Sequence, residues 1–250
     1  MADFNFKYTN PDHDARVDKI KWRQQIDLGN GQITPGKKNT FLDLKEWEMT
    51  PDLFEGKSVI DIGACDGCFS FHAEKCGATS VLAVDPYRWT NQELDEKTQD
   101  DIWNQQEGFL LAREILNSKV QDSIVPLEDI SPETVGEHDV ALFLGVFYHL
   151  PNPLSILDKV LSVTKETVVI ETINAEYYSW RREWPLPARK DGSAEPVMIY
   201  YPGDEVDGDF TTYWSCNIQL LEQYLATKGF TKFYSKRVYS GSRIITYAAR

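Results

Sequence analysis

Short apolar runs alternate along this chain with stretches of helical spacing. Ser58–Ile62, Ser80–Val84, residues 139–144 and residues 167–171 are brief, aliphatic or β-branched, and bounded by turn formers. Each is predicted as a buried strand. Residues 67–76 read as a helix between the first two. Residues 102–118 carry apolar side chains at Ile102, Phe109, Leu110, Ala112, Ile115 and Leu116, which suits an amphipathic helix. Residues 153–163 do the same with Leu154, Ile156, Leu157, Val160 and Leu161, and Pro153 fits a first helical position. Residues 123–126 add a short strand. Strands and helices taking turns at these lengths predict an α/β, doubly wound fold with a mostly parallel sheet.

The two ends depart from that rhythm. Residues 1–56 form a lead-in and cap segment, with a loop over residues 28–36 and a short helix over 41–49. Residues 173–215 are rich in turn formers and aromatics, among them Tyr177, Tyr178, Trp180, Trp184, Tyr200, Tyr201, Tyr213 and Trp214. This insertion is expected to cover a ligand pocket, because such pockets favour aromatic walls. A helix over 217–228 then closes on Gly229. Residues 232–239 and Arg243–Ala249 are strand-like and joined by the hairpin-sized Ser240-Gly241-Ser242. The expectation is therefore a seven-stranded sheet in one domain over 57–250, ending in an antiparallel hairpin.

Composition narrows the partners. With 250 residues and 42% hydrophobic content, the chain can build one sizeable core without metal or disulfide. The net charge of −13 repels phosphate backbones. The basic stretches are short: residues 19–23, Lys37 and Lys38, Arg181 and Arg182, and Arg189 and Lys190. They read as solvated loop charge, so nucleic acid is disfavoured as a partner. Cysteines 65, 68, 76 and 216 lack disulfide-framework spacing and read as reduced thiols. Cys65-x-x-Cys68 with His72 offers only three ligands, so no metal site is expected. No apolar leader opens the chain, and no apolar run approaches the roughly 18 residues of a membrane span. A cytoplasmic protein is expected. Nothing in the sequence sets its oligomeric state.

The most informative segment is Val59-Ile60-Asp61-Ile62-Gly63-Ala64-Cys65-Asp66-Gly67, a buried strand running through a tight turn into a helix. Gly63 and Gly67 allow a nucleoside to approach the backbone at the carboxyl ends of the strands. Asp85 ends the next strand, where an acid accepts hydrogen bonds from ribose hydroxyls. The glycine spacing is G-x-x-x-G, not the G-x-G-x-x-G of dinucleotide sites. Asp61, expected within the turn, would repel a pyrophosphate but suit a sulfonium and an amino group.

Asp61-Ile62-Gly63 with Gly67 and Asp85 resembles the first two motifs of the Rossmann-like S-adenosylmethionine-dependent methyltransferases. Cys65 stands where many members have a glycine. The resemblance implies the strand order 3-2-1-4-5-7-6 over residues 57–250 and S-adenosylmethionine as cofactor. It implies that Asp61 and Gly63 face the methionine part, with Ala64, Cys65, Gly67 and Gly145 also lining the cofactor. Asp85 would hold the ribose, Pro86 and Tyr87 would lie near the adenine, and Glu128 or Asp129 near its amino group.

Further along, Leu144-Gly145-Val146-Phe147-Tyr148-His149-Leu150-Pro151-Asn152-Pro153 ends a strand and opens a helix. Tyr148 and His149 then sit over the carboxyl edge of the sheet as candidate catalytic residues. His149 is placed to deprotonate an acceptor, to orient the loop, or to contact the cofactor. This segment, with Glu171-Thr172, Pro202-Gly203-Asp204, Lys228-Gly229-Phe230 and Ser242-Arg243-Ile244-Ile245, resembles the subfamily of tRNA wobble-uridine carboxymethyltransferases. In those enzymes a lysine, a tyrosine and an arginine bind the extra carboxylate of carboxy-S-adenosylmethionine. The matching positions are Lys37 or Lys38, Tyr148 and Arg243, and such groups are sound carboxylate ligands. The chain departs from them in its acidity and in lacking their longer N-terminal helical region. Methyltransferases of small molecules share the Tyr-His segment and an I-x-L-x-x-G-x-x-T-P-G loop, as at residues 26–36. The resemblance thus implies methyl transfer to a small-molecule acceptor, with carboxymethyl transfer to tRNA as the alternative. A nucleotide-binding module without catalysis is the reading from a different class.

Overall fold

In the computed structural model, which describes residues 13–29, 31–90, 106–181 and 183–250, the predicted alternation becomes one layered unit. Helices α1 (Thr40–Glu46) and α2 (Pro51–Phe54) precede the sheet. Next come β1 (Ser58–Ile62), α3 (Cys68–Lys75), β2 (Ser80–Val84), α4 (Glu107–Ile115), β3 (Gln121–Ser123), α5 (Pro132–Val135), β4 (His138–Leu144), α6 (Pro153–Ser162) and β5 (Thr164–Ile173). The chain continues through α7 (Ala175–Arg181), β6 (Met198–Tyr200), β7 (Trp214–Cys216), α8 (Ile218–Thr227), β8 (Lys232–Val238) and β9 (Arg243–Ala249). The seven sheet strands run β3-β2-β1-β4-β5-β9-β8, so counted by themselves they follow the expected 3-2-1-4-5-7-6. β3 through β5 pair in parallel, while β9 is antiparallel to both β5 and β8.

Period-two alternation divides the strand residues between two cores. Val59, Val81, Val140, Leu142, Val169 and Ile245 join one, with Phe69, Phe71 and Phe109 from the helices. Trp22, Ile26, Trp47, Met49 and Phe54 of the lead-in pack into the same cluster, and Trp47 stacks on Phe69 at 5.3 Å. Ile60, Ile62, Ala141, Phe143, Val168 and Ile170 face the opposite side, against Ile156, Leu157, Leu221 and Leu225 of α6 and α8. α8 begins where its pattern foretold, because the Asn217 side chain accepts the Leu220 N–H at 3.1 Å.

Three elements differ from expectation. The short strand falls at Gln121–Ser123, two residues before the predicted start, with Leu82 paired to Gln121. β3 is an edge strand and mostly exposed, so pairing selected polar residues there, while of the apolar ones after it Val125, Leu127 and Ile130 pack on the core and Ile124 stays exposed. β5 is longer than predicted because it is paired on both sides, by β4 and by β9. The aromatic insertion is not merely irregular: it holds α7 and the antiparallel pair β6–β7. Its Tyr178, Tyr201 and Val206 cluster with Tyr148 and Ile173. The start of the helix predicted over 102–118 lies, up to residue 105, outside the described residues, as do Asn30 and Arg182. No helix among the described residues is long and apolar enough to cross a membrane.

Candidate active site

A cavity of about 130 Å³ opens at the carboxyl ends of β1, β2 and β4. Its floor is the turn after β1. Gly63 has φ +87°, and a Cβ there would lie 2.2 Å from Val146 Cγ2, so only glycine lets this turn meet the loop after β4. Cys65, a side-chain-bearing residue, holds φ +56° two residues later. That left-handed conformation carries strain for any residue but glycine. It is pinned from two directions: its N–H donates to Asp85 Oδ2 at 2.9 Å, and its carbonyl accepts the Trp89 Nε1–H at 2.8 Å.

Asp85 is 3% exposed and lines the cavity. Besides the Cys65 N–H, it accepts the N–H groups of Tyr87 at 3.2 Å and Arg88 at 2.8 Å on Oδ1. A carboxylate has about four acceptor directions, so one is left on Oδ2. Burial raises its pKa above the ordinary carboxylate value, against the pull of these backbone bonds. Asp61 lies in β1, not in the turn, and is 2% exposed. It accepts the Ser70 Oγ–H at 2.6 Å, and burial pushes its pKa up to about 7.

The lead-in reaches the cavity as a strap. Asp66 Oδ2 accepts the N–H groups of both Arg23 and Gln24 at 2.8 Å, and Gln24 Oε1 accepts the Cys68 N–H at 3.0 Å. Lys38 N–H donates to the Arg23 carbonyl at 2.7 Å, closing the loop on itself. A Cβ on Gly36 would lie 2.2 Å from the Gln24 backbone, so the two arms of this loop touch directly. Arg23, Gln24 and Lys38 thereby line the cavity.

At the ends of β4 and β5 the polar groups are side chains. Lys38 Nζ pairs with the buried Asp43 at 3.2 Å and lies 4.8 Å over the Trp47 ring. Tyr239 donates its hydroxyl to the other Asp43 oxygen. Arg243 pairs with the buried Glu171 at 3.1 Å and lies 4.5 Å over the Tyr148 ring. His149 Nδ1 contacts the Thr211 carbonyl and Thr211 Oγ1, both at 2.9 Å. Thr211 Oγ1 spends its own proton on Asp209 at 2.6 Å. Both partners of Nδ1 are thus acceptors, which assigns the proton to Nδ1 and leaves the lone pair on Nε2. Burial lowers the His149 pKa to about 4, so the ring is neutral at physiological pH.

Of the residues singled out from the sequence, Lys38, Gly63, Cys65, Asp85, Pro86 and Tyr87 line the cavity, joined by Gly145, Tyr148 and His149. Asp61 lies beneath the floor, while Ala64 and Gly67 shape the turn without lining the space. Arg243 stands behind Tyr148. Glu128 and Asp129 occupy a 3-10 turn next to Leu127, which is the residue of that turn that lines the cavity. Arg23, Gln24, Phe69 and Arg88 also line it and were not read from the sequence. Asp66, an acid opening a helix beside the turn, was the available signal for the strap. His72 Nε2 contacts the Met49 carbonyl at 2.7 Å and Cys76 Sγ at 3.4 Å. Burial pushes the Cys68 thiol up to about 12.

With this geometry in hand, comparison with known proteins is informative. The family model of a methyltransferase domain matches residues 41–213. A tRNA U34 carboxymethyltransferase of Actinobacillus succinogenes is 23% identical over 193 residues, 76% of this chain and 50% of that protein. The chain thus spans about half the length of this curated relative. Among solved structures, the N-terminal domain of EvdMO1, crystallised in the presence of S-adenosylhomocysteine (SAH) and D-fucose, superimposes with a TM-score of 0.58. It is 15% identical and covers 94% of each chain. The 1,6-didemethyltoxoflavin-N1-methyltransferase of Burkholderia thailandensis, solved with that substrate and S-adenosylhomocysteine, gives a TM-score of 0.55. It is 13% identical, over 85% of this chain and 81% of its own. These likenesses establish the shared fold.

Proposed function

This chain belongs to the methyltransferase-domain family, and on that premise we propose that it binds S-adenosylmethionine at the ends of β1, β2 and β4 and transfers the methyl group to a small-molecule acceptor. The observation that carries this reading is Asp85. It is a buried carboxylate at the end of β2 that lines the cavity, and the backbone N–H groups leave one of its acceptor directions untaken. A ribose hydroxyl fits that direction. Tyr87 and Leu127 offer flat and apolar surface for the adenine, with Glu128 or Asp129 at the edge for its amino group. Gly63 and Gly145 line the cavity where the methionine part would lie, and Asp61 beneath the floor favours its positive charge. The two neighbours solved with S-adenosylhomocysteine and a small molecule support both cofactor and acceptor class.

When bound, S-adenosylmethionine supplies an electrophilic methyl group. The protein contributes mainly proximity and orientation. His149, held by Thr211 with its Nε2 lone pair free, accepts a proton from an acceptor that has become acidic as it reacts. With a pKa near 4 it is too weak a base to deprotonate a resting hydroxyl. The described part of the 1–56 lead-in acts as a cap through the Asp66 strap, and the described part of 173–215 as a wall around Tyr148 of the 57–250 domain. Four free cysteines support a reducing, cytoplasmic setting.

The second reading is carboxymethyl transfer from carboxy-S-adenosylmethionine to tRNA. The Actinobacillus relative and the nearness of Lys38, Tyr148 and Arg243 to one cleft favour it. Against it, Asp43 and Glu171 already neutralise both cations, and the net charge of −13 opposes an RNA.

Mass spectrometry of ligand carried through purification, with calorimetry using S-adenosylhomocysteine, tests the proposal. Binding of S-adenosylhomocysteine is expected. Recovery of the carboxylated cofactor would favour the second reading, and no binding of either would remove both.

A further inference from the structure

The turn after β1 carries its strain at a residue with a side chain. Cys65 holds φ +56°, where a Cβ crowds the backbone. Such a conformation persists only where its surroundings over-determine it. Here both peptide groups flanking the Cys65 Cα are held by the segment that follows β2. The Cys65 N–H donates to Asp85 Oδ2 at 2.9 Å, which fixes rotation about N–Cα. The Cys65 carbonyl accepts the Trp89 Nε1–H at 2.8 Å, which fixes rotation about Cα–C. Just before it, the Gly63 and Ala64 N–H groups both donate to the Val84 carbonyl, so the turn is anchored to β2 at each step.

Trp89 is itself firmly placed. It is 6% exposed, and its ring lies 4.7 Å from that of Phe109, which stacks on Phe71 at 5.3 Å. These rings brace the end of the turn: a Cβ on Gly67 would lie 2.6 Å from Phe109 and 2.7 Å from Phe71. The indole N–H is therefore a preorganised donor. Its consequence for the cavity runs through Asp85, because Cys65 and Asp85 both line that space. The Cys65 N–H takes one direction on Asp85 Oδ2, so the direction left untaken depends on where that N–H sits. If Cys65 relaxed to a right-handed conformation, its N–H would swing away from Asp85 and the wall of the cavity would move with it.

We infer that Trp89 is a positioning residue for cofactor binding: its indole N–H holds Cys65 in the left-handed conformation and thereby keeps the Asp85 carboxylate set for the ribose. This rests on the cofactor reading above.

A double-mutant cycle between Trp89 and Cys65 tests it, because glycine adopts positive φ without a steric penalty and makes the indole clamp dispensable. Trp89→Phe keeps an aromatic ring beside Phe109 while removing the donor. In calorimetry it is expected to weaken S-adenosylhomocysteine binding about tenfold, the scale of one hydrogen bond. In the Cys65→Gly background the same substitution is expected to cost less than about threefold. The cycle is read a second time without ligand. Trp89→Phe should lower the urea midpoint of the protein with Cys65, and by less than about half as much in the Cys65→Gly background. Affinity within about twofold of wild type in Trp89→Phe overturns the inference. So does an equal loss in the two backgrounds, which would assign Trp89 to packing alone. If Trp89→Phe by itself does not fold, the Cys65→Gly/Trp89→Phe protein decides: binding close to that of Cys65→Gly supports the inference, and a folded double variant that has lost binding overturns it. Failure of the wild-type protein to bind S-adenosylhomocysteine removes the cofactor reading instead, and equal urea losses in the two backgrounds then overturn the clamp on their own.

Discussion

At the ends of β1 and β2, buried carboxylates are satisfied by backbone; at the ends of β4 and β5 they are satisfied by side chains. Asp85 takes three backbone N–H groups and Asp66 takes two. Glu171, and Asp43 of α1 beside it, instead pair with Arg243 and Lys38, and one oxygen of each, Glu171 Oε2 and Asp43 Oδ2, makes no hydrogen bond among the described residues. Backbone donors are fixed by the fold and cannot be exchanged by substitution. Side-chain donors can be. The first region suits a ligand part that never varies, such as an adenosine. The second suits the part that differs between enzymes of one fold.

The largest expected effect probes the backbone-held region. Asp85→Ala removes the open acceptor and frees the turn it organises. Affinity for S-adenosylhomocysteine should fall by about 1.5–3 kcal/mol, the loss of one charge-assisted hydrogen bond, as read by calorimetry. Unchanged affinity would sink the ribose assignment.

Asp66→Ala comes next. It leaves the Arg23 and Gln24 N–H groups without their acceptor, so urea denaturation should report a stability loss of about 2–3 kcal/mol. A loss below about 0.5 kcal/mol would mean the strap is held by its apolar packing alone.

A third prediction sets the two regions against each other by pH. Asp61 is raised from 3.8 to about 7, so between those values the folded state holds a proton the unfolded chain has lost. Stability from Asp61 therefore falls as pH rises through that window. His149 is lowered from 6.5 to about 4, so there the unfolded chain holds the extra proton, and stability from His149 rises with pH. The opposed slopes, each about 1.4 kcal/mol per pH unit, cancel across roughly pH 4–6.5 in the wild type. Relative to the wild type, Asp61→Asn should tilt the profile upward with pH and His149→Gln should tilt it downward in thermal melts. Parallel profiles in the two variants would refute this pairing.

The strand–helix alternation and the acid at 85 were legible because each is a local pattern: a short aliphatic run, a glycine turn, a carboxylate at a strand end. Edge strand β3 was misread because pairing with β2, not its own side chains, makes it a strand. Arg23 and Gln24 escaped because they meet the site through Asp66, some 40 residues away in the chain. Glu171 had a visible signal, a charge inside Val168-Val169-Ile170-Glu171-Thr172-Ile173. That signal marks burial, whereas its pairing with Arg243 depends on the antiparallel return of β9.

The strap also sets where the polypeptide can be shortened. A fragment starting at Ser58 would keep all seven sheet strands, yet it would strip the cover from Phe69 and remove Arg23, Gln24 and Lys38 from the cleft rim. The smallest ligand-competent piece is therefore longer than the sheet it is built on, and trimming at the first strand should yield a sticky, empty scaffold.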